Sequence, residues 1–365
     1  MKLLIDEVVS VYRKHGAPQN EEGGKDHPVA KKYAEPAKNA GLALVTVPFI
    51  HTGTTLGRDL FYKIEQELLE KGVNIEFYAN VKDILLQDGK ASGVEYIKHG
   101  RKYKIFAPKI VLATGRAGIS WNKEICQKLG VKSHVGKIKM GVRYEVPDAV
   151  MGDINQLYEP KFKACATKET DAALTFCHNP YCGSVVSESY DGEITLANGH
   201  ADTEPTGRTN LALLFKMDFG ENSIEVAKNM AKTINLAANG QVMVQQFGDF
   251  IKNCPTEKES LARNSVQPTL KAAYPSNLQW GMTPRLVNNI ITFVNQIDQV
   301  LPGFAGPDNL LYGLEMKFSN FIIELDQNLM TSLPGLYAIG DGAGLTNGLI
   351  QASASGWLLG EILAK

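Results

Sequence analysis

The sequence predicts an α/β protein, and three stretches carry that expectation. Leu336-Tyr337-Ala338-Ile339 is a short apolar run that stops at the glycine turn Gly340-Asp341-Gly342-Ala343-Gly344, and a helical pattern then runs to Leu363. Lys109-Ile110-Val111-Leu112-Ala113 is a second such run and ends in Thr114-Gly115. Residues 55–107 read as one helix followed by three short strands. A short continuous apolar run bounded by turn residues is the pattern of a strand buried on both faces, as in a parallel sheet.

The elements follow in chain order. Leu3, Leu4, Val8, Val9 and Tyr12 recur at helical spacing, so residues 1 to about 20 are expected to form a helix. Residues 18–40 are polar, with Gly23, Gly24 and Pro28, and read as a mobile surface loop. From Thr55 to Gly72, Leu56, Leu60, Phe61, Ile64, Leu68 and Leu69 make one stripe, with Thr54 or Thr55 as cap and Lys71-Gly72 as the close. Val81–Leu86, Ala91–Ile97 and Lys102–Ala107 are strand-like. Asp88-Gly89 and His99-Gly100 separate them as hairpin turns. Residues 137–309 differ in composition: Ser184–Ser187 and Glu193–Ala197 alternate like strands. Ser223–Ala238 is helical, with Val226, Met230, Ile234 and Leu236 as its packing face. The expected division is therefore 1–136 with 310–365 as one discontinuous domain, and 137–309 as an α+β substrate domain inserted into it.

Composition excludes some function classes. At 365 residues, 44% hydrophobic and 21% charged, the chain has the makeup of a globular protein with room for two domains. With 38 basic and 39 acidic residues there is no bulk attraction to nucleic acid or to an anionic membrane. Asp6 and Glu7 interrupt any signal-peptide core, and the longest apolar stretch, Gly41 to Ile50, is too short to cross a bilayer. A cytoplasmic location is expected.

The Asp341 turn carries the chemistry. A buried strand delivers it, glycines permit close backbone approach, and the following helix offers free N–H groups, the arrangement by which α/β folds bind ligands. The plainer alternative is a strand-turn-helix in which Asp341 satisfies local backbone donors.

Leu336 to Gly344, the spacer to Gly348 and the small-residue helix resemble the closing motif of two-dinucleotide-binding-domain flavoproteins, and Ala113-Thr114-Gly115 resembles the "ATG" motif of the same superfamily. A narrower likeness runs through Pro48–Thr54, Gly141–Glu145, Asn198-Gly199-His200, Gly248-Asp249-Phe250, Pro302–Ala305 and Gly313-Leu314-Glu315. These are similar to the bacterial family of FAD-dependent dehydrogenases of unassigned substrate. The resemblance implies an FAD/NAD(P)-binding Rossmann-like, three-layer domain and hydride transfer between a small-molecule substrate and FAD; the sequence carries no second NAD(P)-binding fingerprint, so NAD(P) is expected as a transient co-substrate at most. It implies that Asp341 meets the ribityl-phosphate region, and that Asn347, Gly348, Leu349 and Ile350 line the flavin through backbone amides beside Gly340 and Gly342. Thr114 and Gly115 would face the adenine or pyrophosphate side, and the backbone of Val81 the adenine. Among titratable or cationic groups in family-like motifs, His51, Arg143 and His200 are the catalytic candidates, each with a purely structural alternative.

One departure stands out. The family opens on a strand, a Gly-x-Gly-x-x-Gly turn and a helix that cradles the pyrophosphate. Here Met1-Lys2-Leu3-Leu4-Ile5 runs directly into a helical pattern. The resemblance therefore places Met1 after the first βαβ unit, so the domain is expected to be incomplete at its N-terminus. A truncated or split gene, a partner chain that supplies the unit, and loss of tight FAD binding all remain open. Of five cysteines, Cys177 and Cys182 are spaced like the redox pair of some flavin disulfide reductases, but two reduced thiols are the favoured reading. No metal site is expected, since a second ligand pair for Cys177 and Cys182 is lacking and His178 and His200 would have to serve.

Overall fold

The structure is a computed structural model, and it describes residues 2–364 apart from 51, 137, 191, 202 and 318–320. Contacts divide the chain into two compact units: Met1–Asn20, Ile50–Gly136 and Ser319–Lys365 form the first, and Glu21–Phe49 with Lys137–Phe318 the second. Each is a mixture of helices and strands.

In the first unit the strand Ile110–Leu112 runs parallel to Leu336–Ala338, with Tyr337 opposite Val111. Ile110, Leu112, Leu336 and Ala338 are buried against Ile84, Ala91, Ile125 and Cys126. The expectation that these strands are buried on both faces is corrected: Val111 is 38% exposed and Tyr337 half-buried. Side chains alternate between the faces of a strand, and among the described residues this parallel sheet has two strands with a core on one face. Beside it stands the antiparallel meander Asn80–Gln87, Lys90–Lys98 and Arg101–Phe106. Its turns are two-residue hairpins in which Asp88, Gly89, His99 and Gly100 all have positive φ, which matches the twist of the flanking strands.

The helix Lys2–Lys14 lies on the final helix, Leu349–Leu363, where Tyr12 Oη and Ser353 Oγ are 2.6 Å apart. Tyr12 also meets Phe61 of the helix Gly53–Glu70 edge-on, at 6.0 Å between ring centroids. That helix begins two residues ahead of its expected start, and of its stripe Leu60 is buried while Phe61, Leu68 and Leu69 are exposed. Glu67 accepts from Lys14, His15 and Lys71, and these bonds hold its carboxyl down at about 2.

The second unit is built on an eight-stranded sheet. In spatial order its strands are Tyr274–Pro275, Met243–Gln246, Leu310–Lys317, Ile138–Pro147, Arg208–Met217, Ala173–Asn179, Lys161–Ala164 and Ala43–Val45. All neighbours are antiparallel except the first two, which are parallel. Ile138–Pro147 and Leu310–Lys317 are buried along almost their whole length. The helices Ser223–Ala237 and Pro284–Asp298 contribute Ala227, Met230, Ile234, Ile290, Phe293 and Ile297 to the same core.

Two boundaries are corrected here. Leu310–Lys317 is a central strand of this sheet and not the return to the first unit, because its partners are Met243–Gln246 and Ile138–Pro147. Residues 18–40 include the helix Pro28–Asn39, which starts with His27 as cap and Pro28 in the first turn and buries Val29, Ala30 and Ala37. Its polar outer face and internal Pro36 imitate a loop. Ala43–Val45 then pairs with Lys161–Lys163, so 21–49 belongs to the second unit. A smaller correction concerns Leu236, which is 81% exposed while Ala227 and Ala231 complete the packing face. No described helix is long and apolar enough to cross a membrane.

Candidate functional site

The two glycine turns predicted from sequence come together in the first unit. Parallel pairing of Ile110–Leu112 with Leu336–Ala338 puts Thr114-Gly115 beside Gly340-Asp341-Gly342, because both strands end at the same level. The approach is close: a Cβ built on Gly342 would stand 2.5 Å from Thr114 Oγ1 and 2.7 Å from the Gly115 carbonyl oxygen. Only glycine fits there.

Asp341 is the electrostatic centre. Its Oδ1 accepts from Thr346 Oγ1 at 2.6 Å and from the Gly348 amide at 3.2 Å, and its Oδ2 accepts from Arg116 Nε at 3.1 Å. Arg116 also donates through Nη2 to Asn347 Oδ1 at 3.0 Å. Burial pushes the Asp341 carboxyl up. The Thr346 hydroxyl, the Gly348 amide and the Arg116 guanidinium outweigh it and hold the group below the usual carboxylate range. The aspartate is thus a fixed anion at neutral pH. The local role for Asp341 is observed here, since one of its bonds closes the turn on Gly348.

The final helix begins at Leu349 behind Gly348, whose φ of 144° is open to glycine alone, and no side chain caps the helix. The Gly348 amide is spent on Asp341, against the expectation that it lines a flavin; the amides of Leu349 and Ile350 meet no capping side chain, and the positive end of the helix dipole favours negative charge. Leu349 is 53% exposed and Ile350 half-buried. Around Gly115 nothing lies within 4 Å of the Cβ position, and at Gly340 the nearest atom is Ala352 Cβ at 3.7 Å. The residues present fit a group that must come close to backbone, as the ribityl chain of FAD does.

The other sequence candidates lie elsewhere. Val81 pairs with Tyr96 in the meander, a different sheet from the two turns. His51 lies outside the described residues. His200 is exposed on the strand Ile194–Ala201 of the second unit, opposite Ser184. Arg143 is wholly buried in the eight-stranded sheet, with Nε on Asn210 Oδ1 at 2.7 Å, Nη2 on the Cys177 carbonyl at 2.7 Å and Nη1 3.4 Å from Glu315. This environment gives Arg143 a structural place. Cys177 and Cys182 are free thiols, and burial pushes the Cys177 thiol above its ordinary value, against the direction a reactive thiolate needs. No metal-holding cluster occurs among the described residues. Sequence reasoning missed Arg116 and Asn122, which bridge the two turns. A charged residue after Thr-Gly was a weak signal for the first, and nothing marked the second.

No known family profile matches the chain. It is 25% identical over 336 residues to an uncharacterized protein of Clostridium beijerinckii, and the match covers 85% of this chain and 61% of that one. The chain thus spans about three fifths of the length of the curated relative it matches. Among solved structures, it is similar to pyridoxine 4-oxidase from Mesorbium loti at TM-score 0.41, with 11% identity over 93% of this chain and 70% of that one. It is also similar to the glycerol-3-phosphate dehydrogenase of Bacillus halodurans complexed with FAD, at TM-score 0.36 and 11% identity over 99% of this chain and 55% of that one. A third likeness is to 3-ketosteroid-delta4-(5alpha)-dehydrogenase from Rhodococcus jostii RHA1, at TM-score 0.35, 10% identity, 98% of this chain and 76% of that one. At these scores neither fold nor activity is carried over.

Proposed function

We propose that the chain belongs to a cytoplasmic FAD-dependent oxidoreductase acting on a small-molecule substrate. The observation that carries this reading is the juxtaposition of the Asp341 carboxylate, the open Gly115 and Gly340 positions and an uncapped helix start. FAD would supply the hydride-accepting chemistry, with NAD(P) as an external donor at most. Asp341 would accept hydrogen bonds from the ribityl chain, and the amides of Leu349 and Ile350 would stabilise negative charge at the neighbouring edge.

An absorbance spectrum of the purified chain, with and without added FAD, tests the reading. Bound flavin that bleaches on reduction is expected. A colourless protein whose spectrum with FAD equals the sum of the two alone would refute independent binding. Asp341→Ala is expected to weaken FAD about 10- to 100-fold, the loss typical of a hydrogen bond to a charged group. Asp341→Asn, which keeps one acceptor oxygen, should lose less. Equal affinity in all three proteins, by flavin fluorescence titration, would remove Asp341 from the site.

A second reading is favoured by one specific observation. Among the described residues the parallel pair has only two strands, Val111 on it is 38% exposed, and of the apolar final helix Ala354 and Leu359 alone are buried. On this reading FAD binds only once a separate polypeptide adds a βαβ unit along the free edge of Ile110–Leu112. Uptake of FAD on mixing with such a polypeptide, and not without it, distinguishes the two.

A further inference from the structure

The two turns are held together from opposite sides, and the inner attachment has had no role so far. Arg116 bridges on the outside, where its side chain is 67% exposed. Asn122, on the helix Ile119–Leu129, bridges on the inside and is completely buried. Its Nδ2 donates to Thr114 Oγ1 at 2.8 Å and to the Gly342 carbonyl at 2.8 Å. Both amide protons of one carboxamide are thereby spent on the two turns, one on each. Its Oδ1 has no partner among the described residues, so the carboxamide is held by its two donors alone. The turns are already close, since there is no room for even a Cβ on Gly342 between them: it would stand 2.5 Å from Thr114 Oγ1 and 2.7 Å from the Gly115 carbonyl oxygen. They cannot part without breaking either the buried bond to Gly342 or the half-buried bond to Thr114.

We propose that Asn122 is a positioning residue whose carboxamide fixes the separation of the Thr114–Gly115 and Gly340–Gly342 turns, and so sets the geometry of the flavin-binding edge. This rests on the FAD reading above. Asn122 is wholly buried and donates only to the two turns, so it would act on bound FAD through them. A leucine at this position would fill the space and donate nothing. An aspartate would donate one proton when neutral and none when ionised, and the ionised form would face the Gly342 carbonyl oxygen.

The test uses the full chain with Asn122→Leu, Asn122→Asp and Thr114→Val, and reads FAD affinity at about pH 5.5 and about pH 8.5, a range that spans the titration of a buried carboxyl. For Asn122→Leu the expected result is a dissociation constant raised roughly tenfold or more at both pH values, the factor set by losing a buried hydrogen bond. Asn122→Asp should bind within about threefold of the parent at the lower pH and lose roughly tenfold at the higher, as the carboxyl ionises. A general loss of packing would not produce that pH profile. Thr114→Val, which cuts one leg and leaves Asn122 in place, should fall between parent and Asn122→Leu. Parent-like affinity for both Asn122 variants at both pH values overturns the proposal. If the parent itself takes up no FAD, the flavin reading has failed and the clasp is judged alone, by amide hydrogen exchange. Faster exchange in Asn122→Leu confined to residues 112–118 and 339–348 then supports it, and unchanged or uniformly faster exchange overturns it.

Discussion

Gly199→Ala is expected to cost on the order of 3–5 kcal/mol, the range for breaking a buried ion pair, and to leave little soluble protein at growth temperature. A Cβ on Gly199 would stand 1.6 Å from Arg143 Nη2 and 2.1 Å from its Cζ. The guanidinium cannot retreat, because Asn210, the Cys177 carbonyl and Glu315 hold it on three sides inside the sheet. Moving it would strand Glu315, whose side chain is fully buried and whose carboxyl burial already pushes upward against the pull of Arg143 and Lys317. The check is denaturant unfolding of the single variants Gly199→Ala and Arg143→Met and of the double variant. Because methionine removes the obstructing nitrogens, the double variant should be more stable than the sum of the two single losses predicts. Wild-type stability in Gly199→Ala would show that the strand Ile194–Ala201 does not pack on the guanidinium.

Acidification should destabilise the second unit through His178. Its ring is buried, Nε2 bonds Asn155 Oδ1 at 2.9 Å, and Nδ1 has no partner among the described residues. Burial, helped by the Arg143 charge, pushes its pKa down to about 4. The folded state therefore keeps the imidazole neutral while the unfolded chain binds a proton near 6.5. The stabilising contribution is complete above that value and is lost as the pH falls towards 4, for a total of about 3 kcal/mol. Glu145 and Glu315, whose carboxyls burial pushes up, act in the opposite sense, so the fall must be measured as a difference. Denaturant unfolding at pH 7 and pH 4 of the parent and of His178→Leu should show the parent losing about 3 kcal/mol more. Identical pH dependence in both would mean that the ring is reached by water.

What the sequence could reveal depended on how local the cause was. The Asp88-Gly89 and His99-Gly100 turns need positive φ at two successive residues, a demand written in the residues themselves, and both hairpins form as read. The Leu336–Gly344 run was equally legible, since apolar strand and glycine turn lie within nine residues. The burial of that strand was not, because it depends on what covers the second face. The unit to which Leu310–Lys317 belongs is hidden for a related reason: its strand character is local, but its partners, Met243–Gln246 and Ile138–Pro147, are remote in sequence. Pro28–Asn39 was hidden by its own composition, with three buried residues among lysines, a glutamate and two prolines. Within the site, Asp341 and the glycines announced themselves, whereas Asn122 is an ordinary polar residue in a helix until the fold brings Thr114 and Gly342 to its two protons.

The parallel pairing of Ile110–Leu112 with Leu336–Ala338 also has a bearing on synthesis. Val111 and its partner Tyr337 are separated by 226 residues, and Tyr12 waits still longer for Ser353. At roughly 5–20 residues per second, the ribosome makes the second strand about 10–45 s after the first. During that interval the nascent first unit holds an unpaired apolar strand and two helices without their closing neighbour, a natural client for a chaperone. The eight-stranded sheet is complete in the meantime. Slowing translation between the end of Leu310–Lys317 and residue 336 would lengthen the exposure of that strand and those helices while the eight-stranded sheet is already made.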